Sequence, residues 1–324
     1  MSFRNIIVAG ALLGAVGCGQ GTGGATVLLE AEDTITGGIP AGSSGEAIQD
    51  GWSVTFDDYV VVIGDVDLHL ATDETVEAEA GELFAVDLVD VSESGLALWD
   101  FEGLETGRWE VFYRVGGAGD GAMRDPSVTE AQFSEMQAGD WTYLVAGTID
   151  QDGGQSCPPA SIGAELRADA TPNGSVNTGG DACYDATSVR FRWGVTAETS
   201  YGPCEIDEVP GFAVAAGGVS AVALTIHGDH IFFNGFPEGG EGGVQRLAQW
   251  LADSDLNLDG EVTREELEQI APSDLPELDD RYQLGGAPIP IDASMWGYVT
   301  AQLKTQGHFQ GEGECPVDGV AHDH

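Results

Sequence analysis

The sequence predicts a mainly β protein: an antiparallel β-sandwich over residues 25–236, followed by a small helical domain over residues 237–310. Three observations carry this. Nine runs rich in β-branched and aromatic residues recur between residues 26 and 233, separated by Gly, Asp and Pro clusters. Forty-eight glycines suit a chain with many tight turns. After Pro237 the composition changes, with a Gly/Glu linker at 238–243 and then apolar residues at helical spacing. Strands that follow one another without intervening helices argue for antiparallel pairing rather than a parallel sheet.

The chain opens on a segment that stands apart from the fold. Arg4 is its only charge, Ile6 to Val16 is an apolar run of eleven residues, and Ala15-Val16-Gly17-Cys18 follows. Eleven residues are too few to span a bilayer, but they suit the core of a signal peptide. The segment resembles a bacterial lipoprotein signal. That resemblance implies cleavage after residue 17 and a lipid on Cys18, placing the protein at the outer membrane or cell surface. The pattern prefers Leu where this chain has Ala15, and an ordinary secretory signal cut near Gly17 is the alternative. Residues 18–24 read as a flexible tether.

The expected strands are Thr26 to Glu30, Trp52 to Val62, Leu83 to Val91, Leu96 to Phe101, Trp109 to Val115, Trp141 to Ile149, Val189 to Val195, Phe212 to Ala216 and Ser220 to Phe233. One short helix interrupts them at Ser127 to Ala138, where Ser127 and Glu130 have capping-box spacing. The segment GLETGRWEVFYRV, residues 103–115, resembles a hairpin of transthyretin-like and carboxypeptidase-regulatory sandwiches. It implies a turn at Gly107, with Trp109, Val111 and Tyr113 on one face. The tryptophans at 52, 109, 141 and 193 sit at core spacing rather than as a sugar-binding platform.

In the helical domain, Val244, Leu247, Ala248 and Leu251 follow i, i+3, i+4, i+7. A second helix opens at a Thr263/Glu266 capping box and carries Leu267 and Ile270. A third runs from about residue 292 to about 306 with Met295, Tyr298, Val299 and Leu303 as its stripe. Residues 311–324 form a tail.

Between the first two helices lies DLNLDGEVTREE, residues 255–266. It has the layout of an EF-hand calcium loop. Asp255, Asn257 and Asp259 occupy positions 1, 3 and 5, and Gly260 the sharp turn at position 6. Glu261 gives its carbonyl at position 7, Thr263 acts at position 9, and Glu266 closes the cage with both oxygens at position 12. Calcium takes six to eight oxygens, and this spacing gathers five side chains and a carbonyl around a point. EF-hands usually pair through a short β contact between loops. Residues 279–303 lack the glycine and the last glutamate of a second loop, so one calcium is expected.

Without Cys18, Cys157, Cys183, Cys204 and Cys315 remain. An even number in an exported chain points to two disulfides with three possible pairings. The favoured pairing is Cys157–Cys183, pinning a loop rich in Gly, Asn and Pro, with Cys204–Cys315 tying back the C-terminal segment. No C-x-x-C pair suggests zinc.

The histidines pose the sharper question. His227, Asp229 and His230 stand together in IHGDHIFF, and His308 precedes Cys315. If Cys204 and Cys315 pair, His308 is drawn toward the sandwich. Two or three imidazoles and a carboxylate would bind copper or zinc. The alternative is that these histidines are hydrogen-bonded structural residues. His227 and His230 point to opposite faces of an ideal strand, so they share an ion only if Gly228 and Asp229 turn the chain. Asp65, Asp67 and His69 alternate along one strand face. His322 and His324, in the AHDH tail, read as solvated.

The net charge of −44, with Lys304 as the only lysine, excludes a nucleic-acid partner. There is no G-x-S-x-G elbow, H-E-x-x-H helix, phosphate loop or dinucleotide fingerprint. The IHGDHIFF block, the calcium loop, GHFQGEGEC and more loosely WSVTFDDYVVVIGDV are similar to exported lipoproteins of gliding soil and marine bacteria. That resemblance implies export and calcium binding and supplies no catalytic residue. The expected function is a lipid-anchored, non-enzymatic envelope protein with one structural calcium and a protein or glycan partner. A transition-metal binder using His227, Asp229, His230 and His308 is the alternative, and a glycan-acting hydrolase the third.

Overall fold

The computed structural model describes residues 21–119, 121–235, 244–275 and 293–317. The signal segment, Cys18, the linker at 238–243, most of the stretch between the second and third helices, and His322 and His324 lie outside them. The chain is mainly β. Its principal strands are β1 (Thr22–Ala31), β2 (Ser53–Leu70), β3 (Asp73–Asp87), β4 (Leu96–Glu105), β5 (Gly107–Val115), β6 (Tyr143–Asp150), β7 (Ser188–Val195), β8 (Val219–Ile226), β9 (Glu261–Val262) and β10 (Gly307–Phe309). The helices are α1 (Asp33–Gly37), α2 (Glu130–Gly139), α3 (Gln249–Asp253), α4 (Arg264–Leu267) and α5 (Met295–Leu303). No helix among the described residues is long and apolar enough to cross a membrane.

Two sheets share one hydrophobic core. The smaller runs β10–β8–β1–β4. The larger runs from Thr199–Tyr201 through β5, β2, β6 and β7 to β9, with β3 on β2 and Phe212–Val214 on β5. Val27, Leu29, Trp99, Phe101, Leu224 and Ile226 of the first sheet join Trp109, Val111, Tyr113, Val145 and Trp193 of the second in one cluster. The same cluster takes in Trp250, Leu251, Val262, Leu267, Tyr298 and Leu303. The helices after residue 243 therefore pack into the core of the sheets. Strand β10, expected within a separate helical domain, is a member of the smaller sheet.

Strand β2 shows why these residues form this sheet. Its centre, Tyr59-Val60-Val61-Val62-Ile63, is apolar without alternation and fully buried. A strand reads this way when both faces are covered. Tyr59, Val61 and Ile63 face the main core. Val60 and Val62 meet Leu144, Val128 and Met136 in a second, smaller cluster beneath α2.

Several expectations are corrected. Pairing is mixed rather than purely antiparallel, because β1 and β8 are parallel neighbours, Gly24 opposite Val219 through Ala31 opposite Ile226. Only a tight connection forces neighbours to be antiparallel, and β1 and β8 are joined by most of the chain. Residues 103–115 do not make a hairpin. Strand β4 pairs with β1 and β5 with β2, so Gly107 marks a crossing between sheets. Trp109, Val111 and Tyr113 do share the buried face. Thr22 to Gly24, expected in the tether, begin β1. A Cβ on Gly23 would lie 2.4 Å from the Ala215 carbonyl and one on Gly24 2.6 Å from that of Phe101, so these glycines serve close backbone approach. Helix α2 is capped by Thr129 with Gln132, not by Ser127 with Glu130. Helix α3 begins only at Gln249, because Arg246 is drawn into bridges with Ile48 and Phe233.

Candidate metal centre

Both cystine bridges join the expected partners: Cys157 with Cys183, and Cys204 with Cys315. The second bridge fixes the chain that carries β10. Strand β10 adds to β8 with Ile226 opposite Gly307 and Thr225 opposite His308, which brings His308 beside the end of β8.

Strand β8 stops at Ile226, short of the expected Phe233. Gly228 to Phe232 wind into a 3-10 turn instead. The turn packs closely: a Cβ on Gly228 would lie 2.4 Å from Ile35 Cγ1, so a larger residue would have to displace Ile35. The turn defeats strand alternation, and His227 and His230 come to the same side. His227, His230 and His308 each offer a ring nitrogen, and the three nitrogens lie within 4.8 Å of one another. His308 stacks on His227 with centroids 3.9 Å apart, and meets His230 edge-on at 5.2 Å. A second group of ligand atoms, from Glu32, His227 and Asp229, is equally close.

The site is buried except at His308, which is half-buried. His227 is 1% exposed, His230 2% and Asp229 0%. Asp229 Oδ2 accepts from Arg246 Nε, whose guanidinium also donates to the Gly45 carbonyl and lies over the Phe233 ring. Asp229 Oδ1 is buried with no hydrogen-bond donor among the described residues.

Hydrogen bonds orient two of the rings. His227 Nε2 lies 3.1 Å from the Gly311 carbonyl, which can only accept, so Nε2 carries the hydrogen. Its Nδ1 lies 3.8 Å from Glu32 Oε2. His230 Nδ1 lies 2.8 Å from Thr305 Oγ1. That hydroxyl spends its single proton on the Gln302 carbonyl at 2.8 Å, so it accepts from His230 Nδ1. Burial beneath the site keeps the Tyr59 hydroxyl protonated, well above its ordinary value, and it donates to Gln306 Oε1 at 2.7 Å.

Residues 255–266 form a tight loop. Asp255 accepts from the Asp259 amide at 3.2 Å and the Gly260 amide at 2.9 Å. Gly260 turns at φ +80°. Glu266 Oε1 accepts from Leu256 N at 3.0 Å, and Oε2 from the amide and hydroxyl of Thr263 at 2.9 and 2.8 Å. The Thr263/Glu266 capping box is present. Asn257 and Asp259 bond to each other at 3.0 Å. The flanking helices α3 and α4 are each about one turn. Desolvation, then repulsion from Glu266 and Asp259, pushes the Asp255 carboxyl up to about 6.

The loop also touches the larger sheet. Glu261 and Val262 pair in parallel with Arg190 and Phe191 of β7, and Trp193 Nε1 donates to the Val262 carbonyl at 2.9 Å.

Asp65 does not join Asp67 and His69. The register of β2 shifts between Gly64 and Val66, Asp65 sits at φ +53°, and it bonds Arg114 at 3.1 Å while Asp67 bonds His69 at 2.9 Å. Sequence reasoning missed Glu32, Arg246 and Thr305, whose roles depend on packing between distant segments. Comparisons with family models, with curated proteins and with solved structures found no match to this chain.

Proposed function

We propose that the chain is an exported, lipid-anchored protein of the cell envelope with a binding or surface role, in which one calcium ion at residues 255–266 braces a β-sandwich. The observation that carries this reading is where the loop docks. The short β contact that one EF-hand loop makes with another is made here with the edge of a sheet, through Glu261 and Val262. An ion that orders the loop would therefore also order strand β7. It would reach further through α3, since Asp253 Oδ1 accepts from Cys157 N at 2.7 Å and Arg167 donates to the Leu256 carbonyl at 3.1 Å. Calcium would draw in the carboxylates of Asp255, Asp259 and Glu266, the carbonyl of Glu261, and Asn257 and Thr263. The two disulfides suit an oxidising compartment. The anchor would be the lipid on Cys18.

Extracellular calcium modules bind at roughly 0.1–1 mM. At ten times its dissociation constant, calcium would add about 1.4 kcal/mol to stability. The test is the rise in melting temperature on adding calcium to chelator-treated protein. Glu266→Ala should abolish the rise. Because Glu266 also caps the loop, the variant is compared by its calcium increment, not its starting temperature. No increment in the unaltered protein would refute the calcium reading. Detergent phase separation of the natural chain and of Cys18→Ser tests the anchor, and equal partition into the aqueous phase would exclude it.

A further inference from the structure

We propose that His227, His230 and His308 form a binding site for a divalent transition ion of the zinc or copper class, separate from the calcium loop. Four observations converge on it. The three ligand nitrogens already lie within 4.8 Å of one another. A tetrahedral site with ~2.0–2.1 Å bonds separates its ligand atoms by roughly 3.4 Å. Rotations that move each nitrogen by less than about 1 Å close the difference.

The second observation is how two of the rings are oriented. A metal-ligating imidazole typically donates its other N–H to a carbonyl or hydroxyl, which fixes its tautomer and aims its lone pair. His227 makes such a contact with Gly311 and His230 with Thr305, each through one ring nitrogen, which orients both rings. Thr305 is itself held by Gln302, and Gly311 by its amide donating to Thr225 Oγ1 at 3.0 Å. Both outer partners are thus fixed in place.

The third is Asp229. One of its oxygens is neutralised by Arg246; the other is fully buried with no donor among the described residues. A buried carboxylate oxygen left so is costly, and a cation at His227 would offset that cost. Asp229 and Glu32 form a second group with His227, which makes these two carboxylates the nearest candidates for a fourth ligand.

The fourth is the donor chemistry. Neutral imidazoles select zinc, copper or nickel over calcium and magnesium, which want oxygen.

The test uses the full chain, stripped by chelator and titrated with zinc and with cobalt. One equivalent should bind, and cobalt should give the visible absorption of a tetrahedral nitrogen-ligated ion. His308→Gln should lose the bound metal with its far-UV spectrum unchanged. Thr305→Val keeps the side-chain volume and removes the acceptor that orients His230. It should weaken zinc binding by about 10–100-fold; because it also removes a partner of buried His230, the comparison is made at a temperature where both proteins are fully folded. Replacing His322 and His324 together, or Glu266 alone, should leave zinc binding intact. The proposal falls if the stripped chain takes up no more metal than His308→Gln, or if the His322/His324 variant removes the binding. It falls also if Thr305→Val and the natural chain bind zinc equally, since the ring orientation read here would then be irrelevant.

Discussion

Asp255 carries the sharpest pH dependence at the scale of a single residue. Its carboxyl is pushed from an ordinary 3.8 to about 6, first by burial and then by Glu266 and Asp259. A carboxylate whose folded value lies above its unfolded value binds its proton more tightly when folded. Its ionisation therefore opposes folding above pH ~6, and the penalty fades as pH falls from there toward ~4. In chelator, protein melted near pH ~5.5 should gain stability relative to pH ~7.5 through this group. Asp255→Asn should reduce that gain. Equal pH profiles for the two proteins would show that Asp255 ionises normally. Gly228 is a second decisive residue. Its backbone angles suit any amino acid, so Gly228→Ala isolates the contact with Ile35 Cγ1. Overpacking of this kind costs ~1–3 kcal/mol. A shift of the urea midpoint toward lower concentration checks it, and an unchanged midpoint would mean that Ile35 yields freely.

At the scale of elements, local pattern located strands well and their partners poorly. The run at 59–63 announces a doubly covered strand because it has no polar face. The acidic half of β3, Asp73 to Glu82, does not announce itself. Asp73, Thr75, Glu77, Glu79 and Glu82 are exposed, and its membership comes from pairing with β2, as in Asp67 opposite Glu79. Gly107 is legible as a turn, but nothing in thirteen residues says that the strands on either side enter different sheets. The cysteines were legible because parity and spacing limit the pairings. They also give a ranking that can be measured. Chain-entropy arguments assign about 3.5 kcal/mol to Cys157–Cys183, with a separation of 26 residues, and about 4.8 kcal/mol to Cys204–Cys315, with 111. The Cys204→Ser/Cys315→Ser chain should therefore melt below the Cys157→Ser/Cys183→Ser chain. It should also lose zinc affinity, because only that bridge lies in the segment that carries His308. The reverse order of melting would indicate that the shorter loop, docked on Asp253 and Leu256, holds more of the fold than entropy alone assigns.

At the scale of the whole molecule, the histidine site depends on three parts of the chain that sequence cannot bring together. Strand β8 ends there, β10 returns from the far side of the helices, and Glu32 follows β1, the parallel neighbour of β8. Each imidazole was legible as chemistry; their meeting was not, because it rests on a parallel pairing and a 3-10 turn. Net charge is different, since it is a property of composition and needs no fold. Fifty-five acids against eleven bases give −44, and compacting that charge opposes folding. Screening should relieve it, as the Debye length falls from ~30 Å at 0.01 M salt to ~3 Å at 1 M. The melting temperature in chelator should thus climb with sodium chloride, and equally with potassium chloride. Glu266→Ala should climb in parallel, because general screening does not use the loop. This separates the two effects of added calcium. A rise seen at millimolar calcium and absent at the same ionic strength of sodium belongs to a site, whereas a rise matched by sodium belongs to the charge of the whole surface. If melting is flat across that range of sodium chloride, the acidic surface is tolerated without cost, and the charge says nothing about the conditions in which this protein folds best.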